Sequence, residues 1–132
     1  MKLIDKNLIF VFGSNLSGYH GAGAARYARL HKGAVMGVGE GMTGHSYALP
    51  TKGLNISYMP LDQIAIHVNK FLEYAAKHPG DQFQVTCVGC GLAGFTHGQI
   101  APMFVPASQN CQFDFEWMNI LGPIRKYWGT FG

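Results

Sequence analysis

Ten of the chain's 18 glycines fall before Leu54 and four more lie between Gly89 and Gly98, and both groups follow short apolar runs. Glycine accepts backbone angles and close approaches denied to other residues, and it loses more conformational entropy on ordering. Dense clusters of it therefore mark loops built for tight turns or for a bound ligand. Leu8 to Phe12 is a continuous apolar, β-branched and aromatic run that stops at Gly13, the pattern of a strand covered on both faces. The glycine-rich stretch that follows enters Ala24, Ala25, Tyr27, Ala28 and Leu30, good helix formers that continue to a stop at Lys32-Gly33. The order is strand, glycine loop, helix.

The same alternation continues along the chain. Short strands are expected at Ala34 to Gly37 and at Ser46 to Leu49, the second ended by Pro50. After Pro60, the residues Leu61, Ile64, Val68, Phe71, Leu72 and Ala75 repeat at three and four residues, which predicts a long amphipathic helix ended by His78-Pro79-Gly80. Phe83 to Val88 reads as a strand that delivers the chain into the second glycine loop. A short helix near Gln99 to Phe104, a strand over Gln112 to Phe115 and a terminal helix around Pro123 to Tyr127 complete the pattern. Such alternation argues an α/β layer fold with ligands at the carboxyl ends of the strands.

At 132 residues the chain fits a single domain, with no room for a separate substrate domain beside a cofactor domain. It is 48% hydrophobic and 13% charged, as a compact globule is, and no apolar run approaches the roughly 18 to 20 residues of a membrane helix. Lys2 and Lys6 precede no apolar segment of signal-peptide length, so a cytoplasmic address is expected. Cys87, Cys90 and Cys111 are an odd set, better read as reduced thiols than as a disulfide framework. The net charge of +3 favours an anionic partner without demanding a long nucleic acid.

Two glycine patterns look like dinucleotide fingerprints. Gly89-x-Gly91-x-x-Gly94 follows an expected strand, and Asp114 lies twenty residues beyond, but the helix that should follow carries prolines within two turns and the chain ends too soon. Gly39-x-Gly41-x-x-Gly44 runs toward Pro50 with no helix for a pyrophosphate to cap. Neither cluster holds the Gly-Lys-Ser/Thr of a phosphate-binding P-loop. The stretch from Gly18 to Ala25 is more informative. Small residues there enter a helix whose first N–H groups have no intrahelical partner, which suits a phosphate, although a tight strand-helix turn accounts for the same residues.

Three blocks resemble the macrodomains, a family that binds ADP-ribose and in several branches removes it from proteins, nucleic acids or small molecules. They are Phe12-Gly13-Ser14-Asn15 with His20-Gly21-Ala22-Gly23-Ala24-Ala25, then Tyr47-Ala48-Leu49-Pro50-Thr51-Lys52, then Val88-Gly89-Cys90-Gly91-Leu92-Ala93-Gly94-Phe95. The third block is similar to the loop that wraps the diphosphate, and the second to the strand-end lysine segment of the compact, lysine-using branch that removes terminal ADP-ribose. The resemblance implies a three-layer α/β domain with a central mixed sheet flanked by helices. It implies that Asn15 orients the distal ribose and that backbone N–H groups of Gly21, Ala22, Gly23 and Ala24 and of Gly89, Cys90, Gly91, Leu92, Ala93 and Gly94 hold the diphosphate. Phe95 would pack on a ribose or base. The ligand implied is ADP-ribose or a related NAD-derived nucleotide, free or on an ADP-ribosylated macromolecule, with no cofactor and no metal. Short chains of this appearance also occur in bacteriophages, which admits a role in NAD-based defence or counter-defence. Many family members place an acidic residue near the first strand, and Asp5 is the only counterpart here.

One departure bears on catalysis. The lysine-using branch follows its second-loop leucine with an aspartate that assists the lysine, and this chain has Ala93 there. A lysine nucleophile needs its free amine and an orienting or basic partner, neither of which alanine supplies. Lys52 is thus open to catalytic, phosphate-binding or purely solvated readings. His20, His45, Glu40 and His97 are the groups beside the glycine loops that could replace the missing acid, and of these His20 is the alternative catalytic candidate. His67 and His78, on and at the end of the long helix, suit surface or capping roles. Cys87-Val88-Gly89-Cys90 has redox or metal spacing but no second Cys/His pair. Arg26, Arg29 and Lys32 recur every three residues and could track a nucleic-acid backbone, or simply solvate a helix face. Phe113, Phe115, Trp117, Tyr127, Trp128 and Phe131 concentrate aromatic area near the C-terminus, for a core or a shared surface. The oligomeric state is left open.

Overall fold

The computed structural model describes residues 7–131; Lys2, Asp5 and Lys6 lie outside them. Six strands form one mixed sheet in the order β2-β3-β1-β4-β5-β6. β1 (Leu8–Asn15), β3 (Ser46–Lys52), β4 (Gln82–Val85), β5 (Cys111–Asp114) and β6 (Tyr127–Gly129) run parallel, and β2 (Gly41–Thr43) is antiparallel to β3 at the edge. The helices are α1 (Gly23–His31), α2 (Leu61–Lys77), α3 (His97–Ile100) and α4 (Met118–Leu121).

Strand alternation divides the core into two. From β1, Ile9 and Val11 join α2, Leu49, Phe83 and Phe113 on one face. Phe10 and Phe12 join Ala48 and α1's Ala25 and Ala28 on the other. A strand buried on both faces has no polar side to show water, which is why Leu8 to Phe12 carries no polar residue. Each fully buried side chain of this kind contributes roughly 1.5–3 kcal/mol. On α2, the buried residues Ile64, Val68, Phe71, Leu72 and Ala75 form the face that the sequence periodicity marks.

Four expectations change in the structure. No strand forms at Ala34 to Gly37, because its backbone groups are taken elsewhere: Val35 N–H donates to Thr43 Oγ1 at 2.8 Å and Gly37 N–H to the Gly18 carbonyl at 2.9 Å. Pro50 does not end its strand, and β3 continues to Lys52. Pairing with β2 stops at Ala48 and the β1–β3 register slips at Ser14/Asn15, the edge and bulge setting in which a sheet tolerates proline. β4 is shorter than expected, ending at Val85, because Thr86 begins the turn into the second loop. At the C-terminus, Gly122 (φ 87°) ends α4, and Tyr127 to Gly129 pair with β5 as β6 instead of forming a helix.

The connections around β1 produce a crevice. From β1 the chain passes through α1 to β3 on one side, and α2 then carries it back to β4 on the other. The loops after β1 and β4 thus leave neighbouring parallel strands toward opposite faces of the sheet. In an open α/β sheet this switch point is where ligands bind.

Candidate functional site

A cavity of about 640 Å³ fills that crevice. One wall is the loop after β1 with the start of α1: Asn15, Tyr19 and the run 21–25. The opposite wall is the loop after β4, residues 86–93. Thr51 and Lys52 close the β3 end, and His97, Asp114, Glu116 and Phe131 close the β5 end.

Both loops present bare backbone N–H groups. The start of α1 has no side-chain cap and no acidic residue in its first turn, and its first backbone bond is Arg26 N–H to the Ala22 carbonyl at 3.1 Å. The amides of Gly23, Ala24 and Ala25 thus have no partner among the described residues. In the second loop, the amides of Cys90, Gly94 and Phe95 are used internally, donating to the carbonyls of Cys87, Gly91 and Gly89. Those turns leave the amides of Cys87, Gly89, Gly91, Leu92 and Ala93 without a partner among the described residues, the last three as an unbroken row. The expected run of donors is therefore narrower than Gly89 to Gly94, because the loop uses part of it to hold its own shape.

The first loop is held from behind. Asn15 Nδ2 donates to the Tyr19 carbonyl at 2.8 Å and its Oδ1 accepts from Tyr19 N–H at 3.1 Å, so the amide expected at a ribose lines the cavity and also closes its own loop. Ser14 Oγ donates to the Gly39 carbonyl. A Cβ at Gly39 would stand 2.6 Å from the Asn15 carbonyl oxygen, and one at Gly18 would stand 2.4 Å from the Gly37 carbonyl carbon. Gly18, Gly39 and Gly44 therefore serve close backbone packing. Residues 37–39 thus form a platform for the first loop.

His20 lies outside the cavity lining. It is fully buried, its ring edge-on to Phe12 at 5.1 Å, and neither ring nitrogen makes a hydrogen bond. Burial holds its pKa below the usual value, opposed only by weaker contacts with the backbone of Val35 and Val38. A ring with no access to the cavity does not act on a bound substrate. His45 and Glu40 are also outside the lining; Glu40 Oε2 pairs with His67 Nδ1 at 2.5 Å and ties the sheet edge to α2. His78 stacks on Tyr74 at 3.9 Å beyond the end of α2.

Phe95 turns away as well. Its N–H bond to Gly89 closes the loop, and the ring packs against Tyr58 at 5.9 Å and the main core. Phe131 and Tyr19 are the aromatic residues that line the cavity. Ile56 also faces it, with φ of 59°, a left-handed conformation that β-branched residues avoid. Its neighbour Asn55 (φ 55°) donates its N–H to Ser17 Oγ at 2.8 Å, which pins this turn to the first loop.

At the β5 end, ligand atoms of Cys87, His97 and Glu116 lie within 4.8 Å of one another, a grouping that sequence spacing does not disclose. Burial, and then the Asp114 carboxylate, push the Cys87 thiol well up, so it is protonated at neutral pH in the metal-free protein. Burial also pushes Cys90 up to about 11, which makes its thiolate scarce at neutral pH. His97 has both ring nitrogens engaged, with Trp117 Nε1 at 3.0 Å and Glu116 Oε2 at 3.1 Å.

Of Arg26, Arg29 and Lys32, Arg29 donates its Nε–H to the His20 carbonyl at 3.2 Å and so braces the first loop. No helix among the described residues is long and apolar enough to cross a membrane. No family model, curated protein or solved structure matches the chain.

Proposed function

We propose that this protein binds ADP-ribose or a closely related NAD-derived nucleotide in the crevice between the loops after β1 and β4. The observation that carries the reading is the pair of unpartnered amide rows, 23–25 and 91–93, on opposite walls of one cavity. Backbone N–H groups at a helix N-terminus and in a glycine loop are suited to phosphate oxygens, and the helix dipole adds about 0.3–1 kcal/mol for each anionic contact. Two facing rows suit two linked phosphates. The cavity has the size of a small-molecule site, and Phe131 and Tyr19 offer it apolar ring surface. The macrodomain resemblance of the same loops supports the same ligand.

Hydrolysis is the second reading, favoured by one observation: Lys52, at the end of β3, lines the same cavity. In that reaction the bond from the distal ribose to its acceptor breaks, a water oxygen ends on the ribose carbon and the acceptor leaves protonated.

Titration calorimetry with ADP-ribose, NAD, AMP and cyclic ADP-ribose separates the outcomes. ADP-ribose is expected to bind more tightly than AMP, which lacks the diphosphate. No binding by any of the four overturns the nucleotide reading. Release of free ADP-ribose from ADP-ribosylated protein, lost in Lys52→Ala, makes the protein a glycohydrolase; binding without release makes it a reader.

A further inference from the structure

Two carboxylates reach the cavity near the end of β5, and only one has an oxygen left to offer. Asp114 is almost wholly buried. Its Oδ1 accepts from Glu116 N–H at 2.9 Å, and its Oδ2 from Thr130 Oγ1 at 3.2 Å and Phe131 N–H at 3.0 Å. It is a brace between β5 and β6. Glu116 is 58% exposed and makes a single side-chain contact, from Oε2 to His97 Nε2 at 3.1 Å. Its Oε1 has no protein partner among the described residues.

The direction of that contact is fixed from below. Trp117 is fully buried and its indole N–H, which can only donate, lies 3.0 Å from His97 Nδ1. Nδ1 must therefore present its lone pair, and the proton of the neutral ring sits on Nε2 and points at Glu116. Glu116 is the acceptor in that pair and remains an acceptor toward the cavity. His97 is itself placed by a capping box at the start of α3, in which Thr96 Oγ1 accepts from Gln99 N–H and Gln99 Oε1 from Thr96 N–H.

Along the carboxyl edge of the sheet, the order is Lys52 at the end of β3, the first loop after β1, the second loop after β4 and Glu116 after β5. Three strand spacings of about 4.8 Å separate the backbones of β3 and β5 by about 14 Å, with β1 and β4 and their loops between them. We infer that Glu116, held by His97 and Trp117, is the subsite for the uncharged, donor-bearing end of the ligand: a base amine or a sugar hydroxyl pair. This rests on the nucleotide reading above. The carboxylate accepts N–H or O–H donors and repels phosphate, so it sets the direction of the ligand, with the diphosphate over the amides and a neutral group at β5.

The test is calorimetry on wild type, Glu116→Ala and Glu116→Gln, with ADP-ribose, its inosine analogue, which lacks the base amine, and its 2′-deoxy analogues. Glu116 is a surface residue, and matched melting temperatures check that both variants fold. Glu116→Ala is expected to weaken ADP-ribose about tenfold or more. Glu116→Gln is expected to weaken it at least as much. The fixed histidine proton claims the glutamine carbonyl and turns its NH₂ toward the ligand, replacing an acceptor by a donor. The analogue that binds wild type weakly and ignores Glu116→Ala identifies the amine or the hydroxyls as the group recognised. Wild-type affinity in either variant overturns the inference, as does long-range ¹⁵N NMR that finds the His97 proton on Nδ1. If wild type binds no ADP-ribose, the nucleotide reading fails first. Adenosine, which has no diphosphate, then decides this one: a shift of His97 Nε2 on titration upholds it, and an unmoved signal overturns it.

Discussion

Burying His20 without a hydrogen bond to either ring nitrogen makes the stability of the protein depend on pH in a stated direction. Its pKa is lowered in the folded state, so as pH falls below about 6.5 the unfolded chain takes up a proton before the folded one does. The contribution of the neutral ring is complete above pH 6.5 and is lost as pH falls toward the folded pKa, by up to about 1.4 kcal/mol per pH unit. Melting curves of wild type and His20→Leu should therefore converge with falling pH between 7.5 and 5.5, or cross; parallel curves would show that the ring does not carry this dependence. Gly39→Ala tests the platform under the first loop. The added methyl meets the carbonyls of Asn15 and Leu16 at 2.6 and 2.7 Å and should cost about 1–3 kcal/mol in urea unfolding, with weaker ADP-ribose binding. Gly80→Ala, where a methyl meets nothing within 4 Å, is the neutral control. The sequence marks glycines as loop-formers, but only the fold distinguishes those that face the cavity from those that let one loop rest on another.

At the scale of elements, the segments legible in the sequence are those whose neighbours are dictated by their own pattern. β1 is a run covered on both faces, and α2 repeats its apolar residues on one side. Segments whose backbone partners lie far along the chain are not legible in this way. Residues 34–37 bond to the first loop and to Thr43, Pro50 stays in its strand because of a register slip, and β6 forms because β5 offers it an edge. α3 shows how a local signal acts at a distance. Thr96→Ala removes the hydroxyl of the capping box and should destabilise the protein by about 1 kcal/mol. It should also loosen His97, and with it Glu116, so ADP-ribose affinity should fall although residue 96 lies outside the cavity lining. Loss of stability with unchanged affinity would separate α3 from the site.

For the whole molecule, the switch point between β1 and β4 assembles the cavity, and the two loops that line it are the ones the glycine clusters indicate. The other walls come from parts of the chain with no shared motif: Ile56 from a strained turn, Phe131 from beyond β6 and Glu116 from beyond β5. No spacing rule links these residues, because they meet only once the sheet is ordered. His20 and Phe95 show the converse, being close in sequence to the loops while their rings lie outside the cavity lining. The central claim is that facing backbone amides hold a diphosphate. An amide-resolved NMR titration with ADP-ribose tests it directly: the largest shifts should fall on residues 23–25 and 91–93 together, with α2 unaffected. Shifts confined to one loop, or centred on the basic face of α1, would contradict it.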